Sequence, residues 1–239
     1  MNTILSGAEL KDKAKEKLSG HYGFLIGISF LSGLLSYLCS MMITVLFSSD
    51  TLAGFILSEG VSFIISVFVG VLSVGLTYVY LKTACGVPCR VSDLFYGYSK
   101  KLNVSLGISL IRNLLSLIPS LAYIIPLTMF QMTGQFTWLY LVPVCLVVSM
   151  IVYLPLYLML SQVMFILLDF PDKSVSEILT FSIRIMQGNK KRLLLLIFSF
   201  IPISLLATVS IIGVLWVIPY VNMTYTIFYL NIMQQRPAE

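Results

Sequence analysis

One basic side chain, Arg112, lies inside a long apolar stretch of the sequence, directly before Asn113. If that stretch begins near residue 104, Arg112 is about 12 Å from its start at 1.5 Å per helical residue. The stem is long enough to carry the guanidinium back to the lipid head groups or to a hydrogen bond with Asn113 and neighbouring helices, which is the arrangement we expect. The alternative is a ligand contact, because a guanidinium holds a carboxylate or phosphate through two parallel hydrogen bonds.

Two further sets of polar residues are candidates for lipid or ligand contact. Lys190, Lys191 and Arg192 form a basic cluster at the start of an apolar stretch, where anionic head groups attract positive charge. Asn222 follows Trp216 within the last apolar stretch. Aromatic residues there suit an anchor at the membrane interface, whereas an amide that faces the bundle forms hydrogen bonds between helices.

The residue patterns that carry catalysis or metal binding are missing from the sequence. Cys85 and Cys89 are close together, but structural zinc takes four ligands and no second Cys or His pair accompanies them. His21 is the only histidine, and every acidic residue lies in a predicted loop or at a span end rather than at membrane depth. We therefore predict no catalytic, cofactor-binding or metal site, and a protein that is not an enzyme.

The composition is that of a membrane protein. Hydrophobic residues make up 58% of the 239 residues and charged residues only 10%, against roughly 25% charged in soluble domains. The net charge of +5 does not indicate nucleic acid, because no polar domain carries a basic patch. We expect membrane lipids as partners, including anionic head groups, with a membrane protein as a further candidate.

Six apolar stretches are long enough to cross a hydrocarbon core, which takes about 20 helical residues. They predict an all-α polytopic transmembrane helical bundle with spans at residues 22–47, 55–81, 104–130, 137–168, 193–211 and 214–232. Residues 1–21 then form a cytoplasmic amphipathic segment, and residues 22–239 form a single integral membrane domain. The last two stretches are continuous and must fold back, near Gly213; one span plus a re-entrant piece is the alternative.

The distribution of basic residues predicts the orientation, since cytoplasmic loops carry an excess of Lys and Arg. With the N-terminus inside, 14 of the 15 basic residues fall at the inner face, and Arg112 is the exception. The outer loops around Asp50, Gly134 and Gly213 hold none. We predict that both termini are cytoplasmic.

A short segment at residues 174–192 separates the fourth and fifth stretches and has amphipathic helical spacing. Ile178 and Ile185 fall on an apolar face, with Glu177 on the polar face. Ser174 and Glu177 have the spacing of a capping box, and Gly188 suits a left-handed C-cap. The pattern predicts a short interfacial helix at the cytoplasmic side.

Related patterns precede the other two hairpins and predict a three-fold repeat of amphipathic helix and helical hairpin. Each combines a small residue, an acid and an aliphatic residue: Ala8-Glu9-Leu10, Ser92-Asp93-Leu94 and Ser176-Glu177-Ile178. In the first and third units a glycine follows the acid at the same interval, at Gly20 and Gly188. Chance similarity among helix-start signals is the alternative.

A pattern spread over nearly fifty residues at the C-terminal end also points to a family. It comprises residues 182–190, Ser199-Phe200-Ile201, Ile212-Gly213, Trp216, Pro219-Tyr220 and Phe228-Tyr229, with Ser92-Asp93-Leu94-Phe95 and Gly97 in the middle loop. With these residues the sequence resembles a bacterial integral-membrane family catalogued as domain of unknown function 975. Where such members show an Arg-Gly pair before that loop, this sequence has Cys85-Gly86. The resemblance implies a six-helix protein of the bacterial plasma membrane and supplies no activity.

Two functions fit these observations. We expect a non-enzymatic interaction or regulatory module, or a handler of lipid or another amphiphile; the alternative is a transporter or permease component whose path is lined by proline-kinked helices. A path needs polar groups stacked along one bundle face through the membrane, whereas an interaction protein needs polar ends only.

The orientation can be tested with single cysteines in a cysteine-free background. A cysteine at Lys101 or Lys190 should react with an impermeant reagent only after the inner face is opened, whereas one at Ser49 or Gly134 should react in intact cells. Labelling of position 190 from outside would overturn the orientation.

Overall fold

Long helices dominate the computed structural model, which describes residues 4–46 and 52–235. The described residues form an all-α bundle without strands. Six of its helical stretches are long and apolar enough to cross a membrane: Tyr22–Met42, Leu57–Ala84, Leu102–Thr133, Phe136–Asp169, Lys190–Thr208 and Ile212–Gln234. The predicted fold class is confirmed. Phe47 at the predicted end of the first span, the loop around Asp50, and Arg236 lie outside the described residues.

The helices follow the predicted spans closely, and two spans are interrupted. In chain order the helices are α1 Gly7–Leu18, α2 Tyr22–Leu46, α3 Leu52–Ala84, a 3₁₀ helix Val91–Phe95, α4 Tyr96–Lys100, α5 Leu102–Thr133, α6 Phe136–Leu160, α7 Val163–Asp169, α8 Val175–Met186, α9 Lys190–Phe198, α10 Ile201–Thr208 and α11 Ile211–Gln234. The fourth span breaks at Ser161 and Gln162, and the fifth breaks at Ser199 and Phe200, just before Pro202.

The fold-back in the last apolar block comes earlier than predicted. The chain turns at Val209 and Ser210, and α11 begins at once, with the Ser210 hydroxyl accepting from Gly213 N at 3.5 Å. Gly213 is instead a point of close packing, since a Cβ there would lie 3.0 Å from the backbone of Ala207. A glycine in a membrane hairpin can therefore mark close helix contact rather than the turn itself.

The helix-start signals at Ser6 and Ser174 form as predicted. In each capping box the Glu carboxylate accepts from the serine N–H, at 2.6 Å for Glu9 and 2.7 Å for Glu177. These hydrogen bonds from Ser6 and Ser174 hold the pKa of both carboxyl groups below the usual range. Gly20 and Gly188 both adopt positive φ, 80° and 81°, so the two units match in detail.

The middle unit is shorter, with the 3₁₀ helix and α4 in place of one amphipathic helix. Asp93 accepts from Arg90 N at 2.8 Å and pairs with Lys82 of α3 at 2.7 Å. Burial of Asp93 raises the pKa of its carboxyl, but the hydrogen bonds from Lys82 and Arg90 outweigh burial and leave the pKa lowered. The predicted Ser92-Asp93-Leu94 signal therefore starts a helix fixed by a long-range ion pair.

The short helices pack in a cyclic order around the bundle. The 3₁₀ helix and α4 pack on α3, α8 packs on α6 and α7, and α1 of the first unit packs on α11 of the last. Each short helix therefore covers the second helix of the preceding hairpin, and the first unit closes the ring on the third. The backbone comes close at these contacts: a Cβ on Gly75 of α3 would lie 1.7 Å from Leu94 O.

The apolar faces of α1 and α8 lie inside the protein. Leu10, Ala14 and Leu18 of α1 and Ile178 and Ile185 of α8 are all at most 2% exposed and belong to the buried core. We predicted that α8 lies in the membrane interface; its apolar face instead packs against α6 and α7. The N-terminal segment, likewise, is part of the packed body rather than a separate amphipathic tail.

The core lies at the end of the bundle that carries the short helices, which we call the basic end. Beyond it, α5 and α6 extend as a hairpin that packs mainly on itself. Its large apolar side chains are exposed over much of their surface, as at Ile125, Val147 and Ile151. That exposure suits contact with lipid tails, whereas the basic end is packed like a soluble core.

Buried Ile178 and exposed Thr180 provide a test of α8. We expect Ile178→Asp to destabilise the folded protein by about 3 kcal/mol or more, because it buries a charge without a partner. Thr180→Asp, as the matched control, should change stability by about 0.5 kcal/mol at most. Thermal unfolding in detergent measures both, and equal losses would contradict the packing of α8.

Candidate functional site

Serine and threonine residues line one face of each of three long helices. Their spacing of three, four or seven residues, that is one or two helical turns, places them on a single stripe of each helix. The residues are Ser29, Ser32, Ser36 and Ser40 on α2; Ser62, Ser66, Ser73 and Thr77 on α3; and Ser105, Ser109, Ser116 and Ser120 on α5. Several of their hydroxyls donate to carbonyls one turn back, as Ser36 does to Ser32 O at 2.8 Å.

These stripes meet at a cavity of about 830 Å³ between α2, α3, α5, α6, α7 and α11. The volume lies in the upper part of the range of about 300–1,000 Å³ that is usual for small-molecule sites. Polar side chains come from all of these helices except α7, which contributes Val163, Met164 and Phe165. The cavity wall thus mixes polar and apolar groups, in a stretch of the bundle whose outer surface is apolar.

Arg112 is the one cationic residue that lines the cavity, and no carboxylate lines it among the described residues. Its Nη1 lies 3.0 Å from the sulfur of Met164 on α7, the one hydrogen bond that its side chain makes within the described part of the chain. A thioether is a weak acceptor, and a guanidinium has five N–H donors. Among the described residues, the charge is therefore neither paired nor saturated with hydrogen bonds.

Three tyrosines share this part of the cavity wall. Tyr153 and Tyr157 of α6 stack with ring centroids 5.8 Å apart, and Tyr225 comes from α11. Tyr153 is close enough to Arg112, and Tyr157 to Tyr225, for electrostatic interaction. The side chains of α5, α6 and α11 thus converge on one region, which no single stretch of sequence reveals.

A comparison with protein families matches residues 1–236 to the family described as "Protein of unknown function (DUF975)". The chain belongs to this family. Comparisons with curated proteins and with solved structures gave no match. Membership confirms the resemblance noted in the sequence, and the membrane character of this DUF975 chain follows from its six apolar helices.

Asn113 and Asn222, both predicted as contacts, have different positions in this DUF975 chain. Asn113 ties α5 to α3, since its Oδ1 accepts from Ser66 at 2.8 Å and its Nδ2 donates to Ser109 O at 2.9 Å. Asn222 lines the cavity from α11, and its Nδ2 donates to Ile218 O at 3.1 Å. Asn113 therefore positions the α3–α5 wall, and Asn222 adds a polar group to the cavity.

The three residues of the predicted basic cluster have different surroundings in the structure. Arg192 joins the ends of the chain: it donates to Leu5 O at 2.9 Å and to Asn231 Oδ1 at 3.0 Å. Arg192 therefore helps to close the ring of helices, and its predicted contact with a head group stays a prediction. Lys190 is half-buried and Lys191 is exposed, so Lys191 is the member that presents its charge at the surface.

The structure places Arg112 in the cavity wall, among side chains from five other helices. We expected its guanidinium either at the lipid head groups or in a hydrogen bond with neighbouring helices, and it forms a bond to Met164 of α7. We predicted Arg112, Asn113 and Asn222 from sequence as separate features, and the cavity brings all three together with the tyrosines and serines. The serine stripes carry a periodic signal that could have been found in the sequence. No such signal marks the three tyrosines, because the sequence contains 13 tyrosines and nothing in it distinguishes these three from the others.

Proposed function

We propose that this DUF975 protein is a non-enzymatic, multi-pass protein of a bacterial plasma membrane that binds an anionic amphiphile in its intramembrane cavity. Both termini are cytoplasmic in this proposal, so the basic end faces the inner leaflet. Lys191 and the lysines of α1 then lie where anionic head groups accumulate. Membrane lipids are the proposed partners, and the exposed α5–α6 hairpin offers a surface for a membrane protein.

The observation that carries the proposal is the unpaired charge of Arg112. A charged side chain within a membrane bundle costs free energy unless it faces a partner or a water-filled cavity. Arg112 faces a cavity that lacks a carboxylate among the described residues, and its one hydrogen bond is to a thioether. An anionic group brought in by a ligand would supply the missing partner.

The setting of the cavity favours an amphiphile over a small soluble anion. The outer surface around it is apolar, and its wall combines polar residues with Leu115, Leu160 and Phe165. A ligand with an acidic head and an apolar tail satisfies both kinds of wall. Lipids are also the most abundant molecules around a bundle of this type.

Transport of the amphiphile is the second candidate function, and the serine stripes favour it. Ser29 to Ser40 on α2 and Ser105 to Ser120 on α5 extend over about three to four helical turns, roughly 16–22 Å at 1.5 Å per residue. A transport path through the bundle requires polar groups that follow one another along a bundle face. The break between α6 and α7, beside the cavity at Ser161, is the kind of helix interruption that transporters use at binding sites.

Conservative and neutral substitutions of Arg112 test the proposal. We expect Arg112→Gln to fold normally and to lose copurifying anionic lipid by about tenfold or more, since a hydrogen bond to a charged group contributes about 1.5–3 kcal/mol. Arg112→Lys should recover only part of the binding, because an ammonium cannot form the parallel pair. Native mass spectrometry of the purified protein measures the bound lipid.

Arg184→Gln is the matched control, because Arg184 is exposed on α8 and lies outside the cavity lining. It should leave the bound lipid unchanged. Equal lipid occupancy in Arg112→Gln and the parent protein would contradict the proposal, and Arg112→Lys with full occupancy would return Arg112 to the role of an anchor.

A further inference from the structure

We infer that the acidic group held in the cavity is the phosphate of a lipid, bound between Arg112 of α5, Tyr153 and Tyr157 of α6, and Tyr225 of α11. This inference rests on the proposed function and names the chemistry of its ligand. The cavity wall offers hydrogen-bond donors as well as the charge of Arg112.

The tyrosine hydroxyls are available to a ligand. None of Tyr153, Tyr157 and Tyr225 forms a hydrogen bond through its hydroxyl within the described part of the chain, although all three line the cavity. By contrast, the hydroxyl of Tyr80 is bonded to Ser29 at 2.7 Å, and that of Tyr98 to Phe68 O at 2.6 Å. Partly buried tyrosine hydroxyls ordinarily find a hydrogen-bond partner, and an oxygen of a ligand in the cavity can accept from them.

The donors come from three different helices of the cavity wall: Arg112 from α5, Tyr153 and Tyr157 from α6, and Tyr225 from α11. A carboxylate has only two oxygens, both in one plane, and a guanidinium fork can engage both of them. A phosphate carries its oxygens tetrahedrally and can accept from the fork and from tyrosines on other walls together.

The charge of Arg112 decides which kinds of lipid head group fit. Three tyrosines without it could form an aromatic cage for a quaternary ammonium, which binds to ring faces. The guanidinium repels such a cation, and no carboxylate among the described lining residues offsets that repulsion. A head group that is anionic overall, such as phosphatidylglycerol, is therefore favoured over the zwitterionic phosphatidylcholine.

The hydrogen bond between Arg112 and Met164 is weak enough for a phosphate to replace it. The thioether is a weak and adaptable acceptor, so exchanging it for a phosphate oxygen gains a charge-assisted bond. Met164 lies on α7, directly after the break at Ser161 and Gln162. The guanidinium can therefore turn from α7 toward a ligand without breaking an ion pair.

Binding of four probes to the full-length protein in a neutral detergent tests the inference. The probes are short-chain phosphatidylglycerol, short-chain phosphatidylcholine, a fatty acid and inorganic phosphate, each titrated by calorimetry. We expect phosphatidylglycerol to bind at least tenfold more tightly than each of the other three. Tyr157→Phe and Tyr225→Phe should each weaken its binding on the order of tenfold, because each removes one hydrogen bond to a charged group while the ring remains.

Tyr140→Phe is the matched control, since Tyr140 lies on α6, is 74% exposed and is absent from the cavity lining. It should leave phosphatidylglycerol binding unchanged. A fatty acid that binds as tightly as phosphatidylglycerol, with Tyr→Phe variants unaffected, overturns the phosphate inference and leaves the proposed function intact. Equal binding of inorganic phosphate overturns the lipid assignment. No binding of any probe overturns the proposed function as well.

Discussion

The structure depends on a closed cycle of packing between short helices and hairpins. Each short helix covers the second helix of the preceding unit, and α1 closes the cycle on α11. Arg192 secures the closure, because it bonds both Leu5 O and Asn231, and Leu5 N in turn donates to Asn231 at 3.4 Å. Residues more than 180 positions apart are thereby held together at the basic end.

The cavity is a consequence of this arrangement. A tightly packed basic end fixes the ends of the long helices, so the helices can stay apart above it without loss of the fold. Hydrogen bonds such as Asn113 to Ser66, and Ser109 to Val67 O at 2.7 Å, hold the α3–α5 wall in place. Arg112 is then kept in the cavity by its position on a fixed helix rather than by an ion pair. A charge positioned in this way is ready to receive an anion at little cost in reorganisation.

The sequence predicted those parts of the fold that depend on local patterns. Apolar length placed the spans to within a few residues, and the Ser6–Glu9 and Ser174–Glu177 spacings predicted both capping boxes, because a cap involves only residues of one turn. The break at Ser161 and Gln162 was missed, since no proline or glycine occurs there. The turn at Ser210 was placed three residues late, because Gly213 was taken for the turn.

Contacts between residues that are far apart in the sequence could not be predicted from such local patterns. The amphipathic face of α8 is equally suited to lipid or to protein, and only the packing on α6 and α7 distinguishes the two. For the same reason Arg112 could be read as an anchor or as a ligand contact, since the surroundings of its guanidinium are supplied by other helices. The tyrosines of α6 and α11 belong to the site only because the closed cycle of helix packing brings α6 and α11 together.

The most direct measurement is an experimental structure of the protein in nanodiscs that contain phosphatidylglycerol. We expect a phosphate in the cavity within hydrogen-bonding distance, about 3 Å, of the Arg112 guanidinium and of at least one of Tyr153, Tyr157 and Tyr225. A cavity that holds only water or an acyl chain, with the guanidinium directed to head groups at the membrane surface, would contradict it.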